Sequence, residues 1–191
     1  MDATHILKAA IALFIIMDPF SSLPVFLALT RNIPNRAKAF AANRAALVAG
    51  ITLLTFTLVG PTFLSIIGVT MQSFTIAGGV LLLLMAISIV MGLDRVQGGE
   101  QKMDVAVVLI AVPLITGPGA MTTAIILATK YGTDNVLLAI LLSTLGTWLI
   151  LRAADMVYKV IGKSGNEVLS RISGLLLAAI AVEFIRTGLS I

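Results

Sequence analysis

The chain has no cysteine and a single histidine, His5, among its 191 residues. That rules out disulfide frameworks, thiolate metal sites and thiol electron relays, and leaves no imidazole for a metal cluster or a catalytic triad. Charge is scarce too. Asp, Glu, Lys and Arg make up 12% of the residues, about half the share of a soluble domain. The net charge of +4 comes from basic residues scattered between apolar runs, without the basic stripe and interleaved aromatics of a nucleic-acid binder. An intramembrane protease would need two facing aspartates or a Ser–His pair. The chain has no G-x-G-D string, and His5 has no G-x-S-x-G partner. No catalytic residue is therefore assigned.

What remains is apolar: 59% of the residues, with a mean hydropathy of +1.08. A bilayer core takes about 20 apolar residues per helix. Six such runs can be read, over 6–30, 40–64, 74–93, 105–130, 135–158 and 168–190. All must be helices, since lone strands leave their backbone groups unsatisfied in lipid. The first run has a weak basic head, Lys8 against Asp2, and no A-x-A site follows it, so it reads as a retained helix and not a leader. The expected fold is an all-α integral membrane protein of six transmembrane helices, one membrane domain made of repeats 1–98 and 99–191.

Basic residues set the expected orientation. Arg31, Arg36, Lys38, Arg44, Arg95, Lys102, Arg152, Lys159, Lys163 and Arg171 fall to one side, and Lys8, Lys130 and Arg186 to the other. Loops rich in Lys and Arg stay cytoplasmic. Both termini are therefore expected outside, in a cytoplasmic (inner) membrane.

The two halves carry matching punctuation. MDPFSSLPVF in the first run and VPLITGPGAM in the fourth both contain Pro-x4-Pro: Pro19 with Pro24, and Pro113 with Pro118. The offset is 94 residues, and it sets Ser22 against Thr116. At an offset of 96, Gly50, Ile76, Gly78 and Gly92 meet Gly146, Ile172, Gly174 and Gly188. Chance matching among Gly- and Ile-rich segments is the plainer explanation of the second set; the paired prolines are harder to dismiss. A three-helix unit has an odd number of crossings, so its second copy enters the membrane upside down. The result is a 3+3 inverted repeat.

Proline lacks an N–H and collides with the carbonyl four residues back. Helices 1 and 4 are therefore expected to break in mid-membrane, where unwound backbone persists only if it is buried in protein or lines a cavity. Pro24 and Pro118 each suit the first position of a new half-helix. Equally, Asp18 could cap a half-helix that starts at Pro19, and the residues leave both placements open. A half-helix N-terminus favours a carboxylate, and the carbonyl end before it favours a cation. Simple kinks that only shape packing are the competing reading. Asp18, deep in an apolar run, costs at least ~2.5 kcal/mol to insert. It could hold a substrate ammonium, a coupling Na⁺ or a transported proton, or it could only cap the break. Ser21, Ser22 and Thr116 add hydroxyls, and Gly117 and Gly119 bring backbone N–H groups close to a small ligand.

Other polar residues read as structural. Glu183 and Arg186, and likewise Arg152 and Asp155, are spaced for local pairs, and Arg152 has the option of snorkelling. Asn43 and Arg44 begin the second span, facing a mouth or only water. Ala42, Ala46 and Gly50 form a close-packing face.

DPFSSLPVFLALT and PLITGPGAMTTAI, in that order, resemble the MarC family of bacterial and archaeal membrane proteins, described as six-helix neutral amino acid transporters. The resemblance covers nearly the whole chain. Its motif positions are Asp18, Pro19, Pro24, Pro113, Gly117, Pro118 and Gly119. It implies transport of small neutral amino acids such as glycine and alanine, with no cofactor, a coupling ion of Na⁺ or H⁺ and a distant tie to amino acid exporters. The substrate-binding set is then Asp18, Pro19, Ser21, Ser22, Pro24, Thr116, Gly117, Pro118 and Gly119. No metal site is expected beyond a coupling cation at Asp18. Partners are the amino acid and the bilayer, with no nucleic acid, and oligomers are compatible. A channel, or an exporter of another small metabolite, is the alternative.

Overall fold

In a computed structural model, residues 2–30, 34–92 and 116–189 are described. They form seven helices: α1 Ala3–Met17, α2 Pro19–Leu29, α3 Asn35–Ile66, α4 Met71–Met91, α5 Pro118–Tyr131, α6 Thr133–Arg152 and α7 Ala154–Gly188. There is no strand among the described residues. Five stretches are long and apolar enough to cross a bilayer: Ala3–Leu27 (α1 continued into α2), α3, α4, α6 and α7. Residues 105–115 of the expected fourth span lie outside the described residues, and α5 covers most of the rest.

The helix ends follow local chemistry. Asp2 caps α1, its carboxylate accepting from the Thr4 N–H at 2.9 Å. Thr70 caps α4 by accepting from the Ser73 N–H at 3.2 Å. Between α3 and α4 the chain turns at Gly68, whose φ of +73° an L side chain rarely adopts and around which there is open space.

Two boundaries differ from expectation. The fifth span ends at Arg152 rather than near 158, and Ala153 alone separates α6 from α7. The last helix then begins well before 168 and changes direction at Gly162, where φ is +72°. Charge explains both. Asp155, Lys159 and Lys163 make the start of α7 more polar than the rest of that helix, which moves the expected start of the sixth span later.

Packing sets helix direction. Trp148 donates to Asn43 at 2.7 Å, and Gly50 meets Thr144, so α3 and α6 run antiparallel. Gly79 meets Ala181 and Ile185, Gly174 meets Ile89 and Val90, and Gly188 meets Ile76, so α4 and the latter part of α7 are antiparallel as well. A Cβ at Gly79 would stand 2.8 Å from the Ala181 carbonyl oxygen. Only glycine lets those backbones come so close. Asp2 donates its N–H to Asn135 while Gly146 meets Phe14, so α1 and α6 are parallel. His5 stacks on Tyr131 with ring centroids 5.0 Å apart, joining the start of α1 to the end of α5.

These directions put Asp2 and Leu189, the first and last described residues, at one end of the bundle. The opposite end gathers the starts of α3 and α7 with the end of α6, where Lys38 pairs with Asp155 at 3.1 Å. The Arg152–Asp155 pair drawn from spacing is thus replaced by one that bridges 117 residues of sequence. Glu183 and Arg186 do approach, at 3.6 Å, on an exposed face. Ala42, Ala46 and Gly50 are buried as a packing face. Asn43 and Arg44 lie within α3: Asn43 accepts from Trp148, and Arg44 covers the Phe40 ring at 5.3 Å. Glycines matched across the halves do not make matching contacts: Gly78 meets Thr122 of α5, whereas Gly174 meets α4.

Large apolar side chains also cover the outside: Leu47, Ile51, Leu58, Leu84, Leu145 and Leu175 are all more than half exposed. In water such a surface would drive association; on helices of this length it is a lipid-facing surface.

Candidate substrate site

The first helix interruption is a single residue. Asp18 takes φ 36°, ψ 68°, a left-handed conformation and the one positive φ outside glycine among the described residues. That conformation costs a non-glycine residue about 1–2 kcal/mol, and two sets of bonds offset the cost. The Asp18 N–H closes α1 by donating to the carbonyls of Phe14 and Ile15 at 3.2 Å each. Its carboxylate opens α2, accepting from the Ser21 N–H at 3.3 Å and the Ser21 hydroxyl at 2.5 Å. In an unbroken helix the Ser21 N–H would go to Met17. Pro19 has no N–H to offer Ile15, whose carbonyl takes the Asp18 N–H instead. Asp18 therefore ends one helix and caps the next, although it is only 5% exposed.

Of the two placements the sequence left open, the structure takes the one at Asp18–Pro19. Pro24 does not start a half-helix. It lies inside α2 and is exposed. The segment between the prolines stays helical because the carbonyl that Pro24 strands, that of Phe20, is taken up elsewhere. Asn166 of α7 donates its amide N–H to it at 3.2 Å. Sequence reading missed Asn166, placing it before the sixth span. A polar residue beside Gly165 at a span edge was the one available signal.

The second interruption is built differently. Pro118 is the first residue of α5, as expected, and Gly117 stands at the cap position with φ −54° and ψ 170°. Gly117 has no side chain to cap with, and its carbonyl accepts the first helical bonds, from Ala120 and Met121. Thr116 beside it is fully buried. Gly119 turns towards α4: a Cβ there would lie 2.5 Å from Leu82 Cδ2 and 3.3 Å from Met85 Sδ. Its lack of a side chain thus serves helix contact. Pro113 lies outside the described residues.

Register brings the two interruptions level. From the His5–Tyr131 stack, α1 runs from 5 to 17 and α5 from 131 back to 118, about 20 and 21 Å at 1.5 Å per residue. Asp18 and Gly117 close that distance at the same depth. Around it, Thr147 of α6 points its hydroxyl at Met17 Sδ, 3.9 Å away, and Ser22, 3% exposed, donates to the Asp18 carbonyl at 3.1 Å. Pro19 is buried and Ser21 half-buried. The fold therefore sets one buried carboxylate and one glycine-capped helix start at one level, among small residues and hydroxyls. Among the described residues no cluster of His, Cys, Asp and Glu could hold a metal ion.

A model of the MarC family of integral membrane proteins matches residues 3–191. The chain belongs to the MarC family. Among curated MarC-type relatives, a UPF0056 membrane protein of Methanocaldococcus jannaschii is 34% identical, over 99% of this chain and 98% of that protein. One from Archaeoglobus fulgidus is 35% identical, over 93% and 89%. The UPF0056 inner membrane protein YhgN of Escherichia coli strain K12 is 29% identical, over 97% and 96%. No solved structure matches. MarC membership and the lipid-facing helices agree: the chain is an integral membrane protein.

Proposed function

We propose that this chain is a secondary transporter of small neutral amino acids in the cytoplasmic membrane. It would work by alternating access around the two level helix interruptions. The reading rests on one observation: Asp18 and Gly117, the residues that precede α2 and α5, each lie about 20 Å along neighbouring helices from the same His5–Tyr131 contact. A zwitterion of glycine or alanine size complements that pair. Its ammonium is suited to Asp18 and the carbonyl end of α1, its carboxylate to the N–H end of α5 beside Thr116.

The helix pairings support a 3+3 inverted repeat. Taking the spans in order, the described helices pair 1 with 5 and 2 with 4, 1 with 6 and 3 with 4, then 1 with 4, 2 with 5 and 3 with 6, and also 4 with 5 and 5 with 6. Exchanging the halves turns the first seven of these pairs into themselves, as a two-fold axis in the membrane plane would, while 4 with 5 and 5 with 6 have no comparable counterpart among the described residues. Gathering of Arg36, Lys38, Arg152 and Lys159 at the end away from both termini favours termini outside. The name of the Escherichia coli relative favours an inner membrane.

Purified protein in proteoliposomes, with labelled glycine and alanine and imposed Na⁺ or H⁺ gradients, tests the reading. Saturable, gradient-driven uptake is expected. Fast passive conductance would make the protein a channel, and no flux of any amino acid would remove the substrate assignment.

A further inference from the structure

We propose that the cavity at the Lys38–Asp155 end of the bundle binds the phosphate headgroup of an anionic phospholipid. The cavity holds about 220 Å³ and lies where the end of α2, the start of α3, the end of α6 and the start of α7 meet. Its polar lining is Asn35, Lys38, Arg152 and Asp155, and the buried Phe26 forms part of its wall. Donors outnumber acceptors there. Asp155 is the one carboxylate in the lining, and Lys38 already answers it, reaching both oxygens at 3.1 Å. A lysine ammonium has three N–H donors, so one is left over. Arg152 adds five more and pairs with no carboxylate among the described residues. The lining thus carries one positive charge in excess. Its complement is a ligand that brings acceptors and negative charge together, and a phosphate brings both in the geometry that an arginine fork matches.

Two features choose a lipid over a soluble phosphate. The first is the rim. Ala39 and Asp155 line the cavity, and the residues that follow them, Phe40 and Met156, are more than half exposed, as is Val160 one turn further along α7. On a bundle that faces lipid, such side chains meet acyl chains. The second is size. The cavity is smaller than the pocket of a drug-sized ligand, about 300–1,000 Å³. A headgroup enters it, and the chains stay outside against the apolar rim. Basic pockets between membrane helices are a recognised form of anionic-lipid site. Lys38 belongs to the first half of the chain and Arg152 to the second, so one phosphate would hold the halves together at this end. The inference is independent of the transport reading.

The test uses full-length protein in a neutral detergent at about 0.15 M salt, where charges more than about 8 Å away are screened. It is titrated with a short-chain phosphatidylglycerol, the matching phosphatidylcholine and glycerol 3-phosphate. Bound ligand is counted by native mass spectrometry, and melting temperatures without ligand check folding. Saturable binding of phosphatidylglycerol is expected, tighter than that of either comparator. Arg152→Gln should weaken it about tenfold or more, the loss expected for a bond between charged groups. Asp155→Asn should strengthen it, because the change frees Lys38 and removes the one negative charge of the lining. Lys159→Gln removes a charge from the same end of the bundle but outside the cavity, and should change binding less than about twofold. Should Arg152→Gln fail to fold, the gain in Asp155→Asn against the Lys159→Gln control still decides. Equal losses for Arg152→Gln and Lys159→Gln would mean a diffuse basic surface and overturn the site. Weaker binding by Asp155→Asn, or phosphatidylcholine bound as well as phosphatidylglycerol, would overturn the anionic ligand. Glycerol 3-phosphate bound as tightly as the lipid would overturn the lipid assignment.

Discussion

At the junction of α1 and α2 a carboxylate fills the helix start; at the start of α5 the cap is a glycine, which has no side chain to offer. Both junctions lie beside a proline at the first helical position, at one depth of the bundle. The first spends its helix N-terminus on its own Asp18, through Ser21. The second has only Gly117 at its cap, so its N–H end receives nothing from that residue. The difference gives the two ends opposite preferences. One end presents a carboxyl group, the other an N-terminus that favours a negative group. A symmetric pair of junctions would offer a zwitterion no reason to choose an orientation.

The sharpest way to break this contrast is Asp18→Asn. Asparagine caps helices about as well as aspartate and tolerates the left-handed conformation. Folding and insertion should survive while uptake in proteoliposomes falls at least about tenfold, since charge alone has been removed. Wild-type flux in the variant would reduce Asp18 to a cap and end the comparison.

Gly119→Val comes next, and its effect falls on the fold. A valine there meets Leu82 and Met85, so overpacking should destabilise by ~1–3 kcal/mol, seen as a lower melting temperature in detergent. A variant with unchanged melting but lost glycine binding would put substrate, rather than α4, against Gly119.

Gly117→Asp makes the second junction resemble the first. The backbone angles there suit a capping residue, and replacing a glycine cap adds roughly a few tenths of a kcal/mol. Melting temperature should rise modestly as alanine affinity drops, because the new carboxylate competes with the substrate's. Rising affinity would show that the N–H end does not hold an anion.

The smallest effect belongs to Lys38→Met. Its partner Asp155 is 64% exposed, and exposed pairs contribute about 0–1 kcal/mol. Melting should hardly move, and a reporter fused at Ile191 should still read outside. A cytoplasmic signal there would invert the whole arrangement.

Much of the architecture was legible because its causes are local. Apolar runs of bilayer length mark five spans among the described residues, and Ala42, Ala46 and Gly50 show their packing face by spacing alone. Pro118 announces its own helix start. Features that escaped depend on distant partners. Whether Pro24 breaks a helix turns on whether something satisfies Phe20, and that something is Asn166, 146 residues away. Asp155 chooses Lys38 over nearby Arg152 for the same reason: the folded bundle brings the starts of α3 and α7 together. Asp18 was legible as important, but its double duty as terminator and cap appears only in its φ of +36°.

The turn at Gly68 has a practical consequence. This protein is small, and nearly all of its described mass lies in the bundle, which leaves imaging and antibody methods little to hold. Gly68 stands in open space between α3 and α4, exposed and free of neighbours within 4 Å. An epitope or a rigid fusion partner inserted there would displace no packed side chain. Ala153 offers no such room, because α6 passes into α7 across that one residue. A handle at Gly68 would stand at the end of the bundle that carries both termini and would leave the Lys38–Asp155 end unobstructed.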